Sequence, residues 1–363
     1  MSEHIPEDVI AKIFQRLPVK SLIRFTSVSK RWRSIILQDP HFAASHYQIA
    51  TQNKTLSHSV CFRGYFDSDC FFESQTTSSA SSPVVKTDLR CLFNGENIER
   101  YIWNPSTGLS QKLPDPGVPN EFQIFTGFGY VSATDDYKIL IANSRLEEGE
   151  QSKIHIFSSK SKSWRRIQDS QYSGLSMSVL GTLCNETLHW LRFKQDIMVA
   201  FDLADEKFRT MALPVVEEYG GHYFGHLGDF GGCLCVFGQV DVVAASIDLW
   251  VMREYDKGNS WTKLFNLRIS DQPDKQICYV QPILVTETCT FLEIHTESGS
   301  DRRVAKLVKS YHNELKIEEV HVDRYRHGMI GYEESLLWHE KFEVYTCKSK
   351  SEDQMKWNQF WGS

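Results

Sequence analysis

A short apolar strand, a polar turn and an aromatic or apolar residue opening the next strand recur five times in this chain of 363 residues. The copies are Ile102-Trp103-Asn104-Pro105-Ser106-Thr107-Gly108, Ile156-Phe157-Ser158-Ser159-Lys160 leading to Trp164, and Ala200-Phe201-Asp202-Leu203-Ala204-Asp205 leading to Phe208. Val251-Met252-Arg253-Glu254 leading to Trp261 and Leu307-Val308-Lys309-Ser310 leading to Leu315 complete the set. Trp103, Phe157, Phe201, Met252 and Val308 take equivalent places, and their numbers differ by 54, 44, 51 and 56. A repeat of about 40 to 50 residues with several strands in each copy predicts the blades of a β-propeller, each sheet burying its face on the next. A β-sandwich with irregular insertions is the competing architecture. Aromatics at 12% favour strands as well, because broad side chains pack on pleated surfaces. Leu188-His189-Trp190-Leu191, Cys233-Leu234-Cys235-Val236 and Thr290-Phe291-Leu292-Glu293-Ile294 are candidates for the inner strands. The stretch Val60 to Phe72 and the segment Leu336 to Tyr345 are expected to pair as a further sheet that closes the ring and removes its free edges. Six blades is the expected number, with seven as the alternative.

The first forty residues have a different texture. Pro6 suits a first helical turn, and Glu7 and Asp8 complement the helix dipole. Ile10, Ile13, Phe14 and Leu17 follow at i, i+3, i+4 and i+7, and Val9 with Ile13 widens this stripe beyond what one neighbouring helix needs. Pro18 stops the helix. A second begins near Val19 and carries Leu22, Ile23 and Phe25; a third, with Val28, Trp32, Ile35 and Ile36, is expected to end at Asp39-Pro40. Three helices in so few residues cannot hide this much apolar surface among themselves, so they need a partner or the downstream domain.

Charge divides along the same line. Residues 1–40 hold seven Lys/Arg against four Asp/Glu, +3, which leaves 33 against 42, or −9, for the rest. An acidic bulk argues against nucleic acid, which calls for a broad basic face. No stretch of eighteen apolar residues predicts a membrane span, and the N-terminus lacks the pattern of a signal peptide, so cytosol or nucleus is expected. The nine cysteines form no CxxC pair and read as small buried hydrophobes. His189, His222 and His226 read as strand or loop residues because no Cys or carboxylate recurs at ligand spacing, so no metal or cofactor is expected. GxxxxGK(S/T), HExxH and GxSxG are all absent, and no nucleophile, base and oxyanion site assembles. A Ser/Thr-rich run from Ser74 to Pro83 reads as a loop, and Trp357, Phe360 and Trp361 as a docked turn or a disordered end.

Two resemblances organise these readings. Ile5-Pro6-Glu7-Asp8-Val9-Ile10, Ile13-Phe14-Gln15-Arg16-Leu17-Pro18-Val19-Lys20-Ser21-Leu22 and Val28-Ser29-Lys30-Arg31-Trp32 together resemble the F-box. Trp103-Asn104-Pro105-Ser106-Thr107-Gly108, Phe128-Gly129-Tyr130 with Asp136-Tyr137-Lys138-Ile139, Ser163-Trp164-Arg165, Phe201-Asp202-Leu203 and Ser260-Trp261-Thr262-Lys263-Leu264 resemble the plant F-box-associated domain of type one, kelch-like in its repeat. The resemblance implies a mainly β chain with an N-terminal α-helical module, divided into an F-box at 1–45, a propeller at 55–347 and a tail at 348–363. It implies that Ile5, Pro6, Val9, Ile13, Leu17, Pro18, Leu22, Phe25, Val28 and Trp32 engage a Skp-type linker, and through it cullin and RING subunits. The chain is then expected to be no enzyme, but the substrate-recognition subunit of an SCF-type (Skp, cullin, F-box) ubiquitin ligase. An F-box complex outside degradation and a propeller enzyme are the other readings. Which protein the propeller selects is unknown; Tyr219, His222, Tyr223, Arg324, Tyr325 and Arg326 are candidate loop contacts.

Overall fold

The computed structural model describes residues 6–53, 55–66, 69–76, 85–92, 100–117, 123–143, 152–170, 180–192, 197–216, 224–241, 245–270, 277–298, 302–314, 316–320 and 326–337. Four helices come first: α1 (Glu7–Phe14), α2 (Val19–Phe25), α3 (Lys30–Gln38) and α4 (Pro40–Gln52). Pro6 and Pro18 stand at the N-caps of α1 and α2, and Ser29 Oγ caps α3 by accepting from Trp32 N at 3.0 Å. Asp39-Pro40, expected to end the third helix, also begins a fourth. Asp39 Oδ1 accepts from Phe42 N at 3.1 Å while Pro40 fills the first turn, where no amide donor is needed.

Strands then follow in chain order. The first three are β1 (His58–Phe66), β2 (Asp69–Thr76) and β3 (Val85–Leu92), and a short hairpin pairs β4 (Tyr101–Trp103) with β5 (Ser110–Lys112). The next sheet holds β6 (Gln123–Val131), β7 (Asp136–Asn143), β8 (Ser152–Ser158) and β9 (Ser163–Ser170). It is followed by one of β10 (Thr182–Cys184), β11 (Thr187–Arg192), β12 (Ile197–Asp202) and β13 (Lys207–Ala212). Another consists of β14 (Phe224–Phe230), β15 (Cys233–Asp241), β16 (Ser246–Met252) and β17 (Trp261–Arg268). The last runs through β18 (Ile277–Val285), β19 (Cys289–Ser298), β20 (Arg302–Tyr311) and β21 (Ile317–Val320), leaving β22 (Arg326–Glu333) to join the first sheet in the order β22-β1-β2-β3.

The arrangement is that of a propeller. The leading strands β6, β10, β14, β18 and β22 touch one another in succession, and Thr126 of β6 forms a parallel bridge with Leu180, just before β10. Between consecutive sheets lie apolar layers. Phe125, Leu140 and Ile156 meet Leu188, Trp190 and Phe201 in one, and Phe237, Leu249 and Val251 meet Val280, Leu292 and Val308 in another. Large side chains there are wholly buried, each worth about 1.5–3 kcal/mol of transfer free energy.

Two expectations need correction. Leu188–Leu191, Cys233–Val236 and Thr290–Ile294 fall in β11, β15 and β19, the second strands of their sheets, and the innermost strands are β10, β14 and β18 before them. Crowding near the axis shows at β6, where a Cβ on Gly127 would meet Leu188 Cδ1 of the next sheet. Second, the ring does close with strands from both ends, but β1 pairs with β22 through Val60↔Gly331, not with residues 336–345. Of the expected closing segment only Leu336 and Leu337 lie within the described residues, and both pack under the helices. The run from Ser74 to Pro83 contributes its first residues to β2, and the rest of it, like Trp357, Phe360 and Trp361, lies outside the described residues.

The recurring turn has a physical basis. Asn104 Oδ1 accepts from Ser106 N at 2.8 Å, Asp202 Oδ1 from Ala204 N and Asp205 N at 2.9 and 2.8 Å, and Ser158 Oγ from Ser161 N at 3.2 Å. A short polar side chain at this place folds the backbone back on itself. Near the end of each turn a residue takes positive φ: Gly108 at 71°, Lys162 at 54° and Glu206 at 56°. Tryptophans opening the fourth strands then lock neighbouring sheets. Trp164 Nε1 donates to Pro114 O at 2.7 Å, and Trp261 Nε1 to Ala212 O at 2.9 Å. Lys162 is exposed and bears the strain that Gly108 avoids. Lys162→Gly is therefore expected to raise stability by about 0.5 kcal/mol in urea titration, and a measured loss would contradict this account.

Candidate partner-binding site

In the helical module the sequence stripe splits into two faces. Phe14, Val19, Leu22, Ile36, Phe42 and Ala43 are buried together, and Ile10, Leu17, Phe25 and Trp32 pack half-buried against them. Three rings stack at its centre: Phe14 to Trp32 at 5.0 Å and 84°, and Phe25 to Trp32 at 5.6 Å and 61°. Such edge-to-face contacts add to burial. Outside this core Val9, Ile13 and Val28 stand 39%, 50% and 61% exposed, with Pro6 and Pro18 also exposed. Val28 lies in the turn before α3 and not on its apolar stripe, which accounts for its exposure. Glu7 pairs with Arg31 through both carboxylate oxygens, which sets the start of α3 beside the start of α1. That pair, through the hydrogen bond first and the charge second, holds the Glu7 carboxyl below its ordinary range and pushes Arg31 up.

The ten residues expected at the linker interface thus divide. Pro6, Val9, Ile13, Pro18 and Val28 offer surface, Leu17, Phe25 and Trp32 are half-buried supports, and Leu22 is wholly buried and can act only as scaffold. Ile5 lies outside the described residues. Of the expected target contacts Arg326 opens β22 and pairs with Gly64, so it is a strand residue, while Tyr219, His222, Tyr223, Arg324 and Tyr325 lie outside the described residues.

The module is fixed to the propeller, a contact that sequence periodicity does not reveal. Leu336 is buried among the helices. Asn104 Nδ2 donates to Ser335 O at 3.0 Å and Leu337 O at 2.9 Å, and Ser335 N donates to Ser106 Oγ at 3.1 Å. Tyr47 Oη of α4 donates to Glu333 Oε2 at 2.8 Å, and burial, then this carboxylate, push the phenol up. The helices therefore sit at the end of the propeller where β22 finishes. Because the innermost strands run parallel, the strands ending at Asn143, Arg192, Asp241 and Ser298 finish at the opposite end.

Cys184, Cys235 and Cys289 are buried thiols and Cys233 is half-buried, in keeping with their expected role as small hydrophobes. Among the described residues no three His, Cys, Asp or Glu side chains could hold a metal ion, and no helix is long and apolar enough to cross a membrane.

A capped helical module with exposed apolar side chains, packed and hydrogen-bonded to a propeller, defines the class. The profile of the F-box domain matches residues 3–42, and that of the F-box associated beta propeller domain matches residues 41–302. The chain belongs to the F-box-associated β-propeller family and carries an F-box at its N-terminus. It is similar to F-box protein CPR1 of Arabidopsis thaliana, 25% identical over 87% of this chain and 88% of that one. F-box/kelch-repeat protein At3g23880 of the same plant is 28% identical over 73% and 79% of the two chains, and F-box protein At3g07870 is 29% identical over 73% of each.

Proposed function

We propose that this chain is the substrate-recognition subunit of an SCF-type ubiquitin ligase, acting in the cytosol or nucleus. Its F-box helices engage a Skp-type linker, and through it cullin and RING subunits, while the propeller holds the protein to be marked. The observation that carries this reading is that the apolar side chains of Val9, Ile13 and Val28 are left exposed beside a fully formed helical core. Exposed apolar side chains clustered on one small module mark a protein-binding surface. The fixed attachment of the helices supports it too, since a target held by a rigid scaffold is presented at a set place. That is a role of proximity and orientation, with the transfer chemistry belonging to other subunits.

Capture of the full chain by a Skp-type linker tests the reading. The double variant Val9→Asp/Ile13→Asp is expected to lower capture by about tenfold or more, because charges at an apolar contact must be desolvated, with its thermal midpoint kept. Equal capture of the variant and the natural chain would sink the assignment.

A further inference from the structure

We infer that the inner wall of the propeller, where β18 pairs with β19, carries a cage for an alkylammonium group, the side chain of a lysine presented by a bound protein. The choice of occupant, a lysine of the target, rests on the adaptor reading above.

Register builds the cage. Tyr279 stands opposite His295 and Gln281 opposite Glu293, so these four side chains share one face of the sheet. Tyr279, on the innermost strand, is 44% exposed. Two imidazole rings stand nearly perpendicular to its ring: His226 at 5.5 Å and 78°, from the neighbouring sheet, and His295 at 5.3 Å and 77°. Tyr279 Oη donates to Gln281 Oε1 at 3.0 Å, which fixes the ring in place. Behind the rings Glu293 is buried, and its Oε1 is hydrogen-bonded to His295 Nε2 at 2.9 Å. Among the described residues Glu293 Oε2 has no hydrogen-bond partner.

His295 answers the charge of Glu293 only when its imidazole is protonated; a buried carboxylate bonded on one side by a neutral ring is costly, and a cation nearby offsets that cost. Tyrosine offers the negative face of its ring to the same cation. Burial and then the charge of Glu293 push the Tyr279 phenol up, so the carboxylate acts at the ring a ligand would meet. His226, held by burial at about 4, is neutral at physiological pH and adds no repulsion. A half-exposed tyrosine ring beside a buried carboxylate suits an ammonium or a methylated ammonium. An anion would meet the field of Glu293 with the wrong sign.

The test uses the full chain and three probes: Nα-acetyl-lysine methylamide, its Nε-trimethyl form and the norleucine counterpart, followed by calorimetric titration. At least one cationic probe is expected to bind ten times tighter than the norleucine compound. Preference for the trimethyl form assigns the cage to methylated lysine, and the reverse to unmodified lysine. Glu293→Gln and Tyr279→Leu should each weaken binding tenfold, whereas Glu319→Gln, altering an exposed carboxylate on the outermost strand, should leave it unchanged. Equal binding of all three probes, or natural affinity in a folded Glu293→Gln chain, overturns the cage. Should Glu293→Gln fail to fold, the exposed Tyr279→Leu decides on the same criterion. Cation binding without linker capture would remove the adaptor reading and leave the cage; linker capture without cation binding would remove the cage alone.

Discussion

Leu336→Asp is expected to loosen the helical module and the closure of the propeller together, at a loss of about 4 kcal/mol or more. Leu336 is buried among Phe14, Val19, Leu22, Ile36, Phe42 and Ala43, so truncation alone would cost about 2–5 kcal/mol through lost transfer and the cavity left behind. A carboxylate in that place adds desolvation with no cation to answer it. The segment also continues directly from β22, and Glu334 N donates to Ser57 O at 2.8 Å just before β1. Displacing it thus pulls on the pairing that joins the chain's two ends. Hydrogen exchange provides the check. Amides of α1 to α4 and of β1 and β22 should all lose protection in the variant, whereas those of β11 and β12 should keep it. If the helices open while β1 and β22 remain protected, the segment is merely a lid on the helices. Asn104→Ala is the milder form of the same experiment. It strands two carbonyls, Ser335 O and Leu337 O, and is expected to cost about 2 kcal/mol.

What sequence could reveal here follows from how local each interaction is. The turn unit was legible because one short side chain and its own backbone make it: Asn104, Ser158 and Asp202 bond within a few residues of themselves. The surplus on α1 was legible too, since Val9 and Ile13 exceed what a single contact face can cover, and both are exposed. Crowding at the propeller axis left a subtler trace. Apolar runs such as Leu188–Leu191 look like the inner strand, but the axis admits the sparser Gly-Phe-Gly of β6, where Gly127 abuts Leu188. Asp39-Pro40 carried two meanings, an end and a start, and only the Phe42 amide bonded to Asp39 decides between them. Nothing in periodicity could announce that Tyr47 bonds to Glu333 or Asn104 to Ser335 and Leu337, because these partners are distant in the chain and each contact occurs once. The cage around Tyr279 has the same character. His226 lies on another sheet, and only register places Glu293 beside Gln281.

Acid should destabilise this protein in a window that belongs to its buried histidines. His189 is fully buried in β11, with Nε2 2.9 Å from Tyr255 Oη and Nδ1 3.2 Å from Thr182 O. Burial first, and the charge of Arg209 second, bring its pKa down to about 4, and burial does the same to His226. An unfolded histidine titrates near 6.5. As pH falls from 6.5 towards 4 the unfolded chain therefore binds protons that the folded chain refuses, and stability must fall with pH over that range. Each histidine contributes on the order of 3 kcal/mol at the bottom of the window, since one pKa unit is about 1.4 kcal/mol. The paired carboxylates act later. Although burial opposes it, hydrogen bonds from Lys138 and Arg165 hold Glu206 below its ordinary range, so its stabilisation is lost only as pH drops through the carboxylate region. Urea midpoints measured at pH 7.5, 6.5, 5.5 and 4.5 separate the two effects. The natural chain should lose stability steadily below 6.5, and His189→Gln, less stable at pH 7.5 for want of a good hydrogen-bond fit, should show a clearly shallower slope between 6.5 and 4.5, with His226 and His312, both lowered by burial, supplying the remainder. Identical slopes in the two proteins would mean that the His189 imidazole takes up its proton without opening the apolar layer around it.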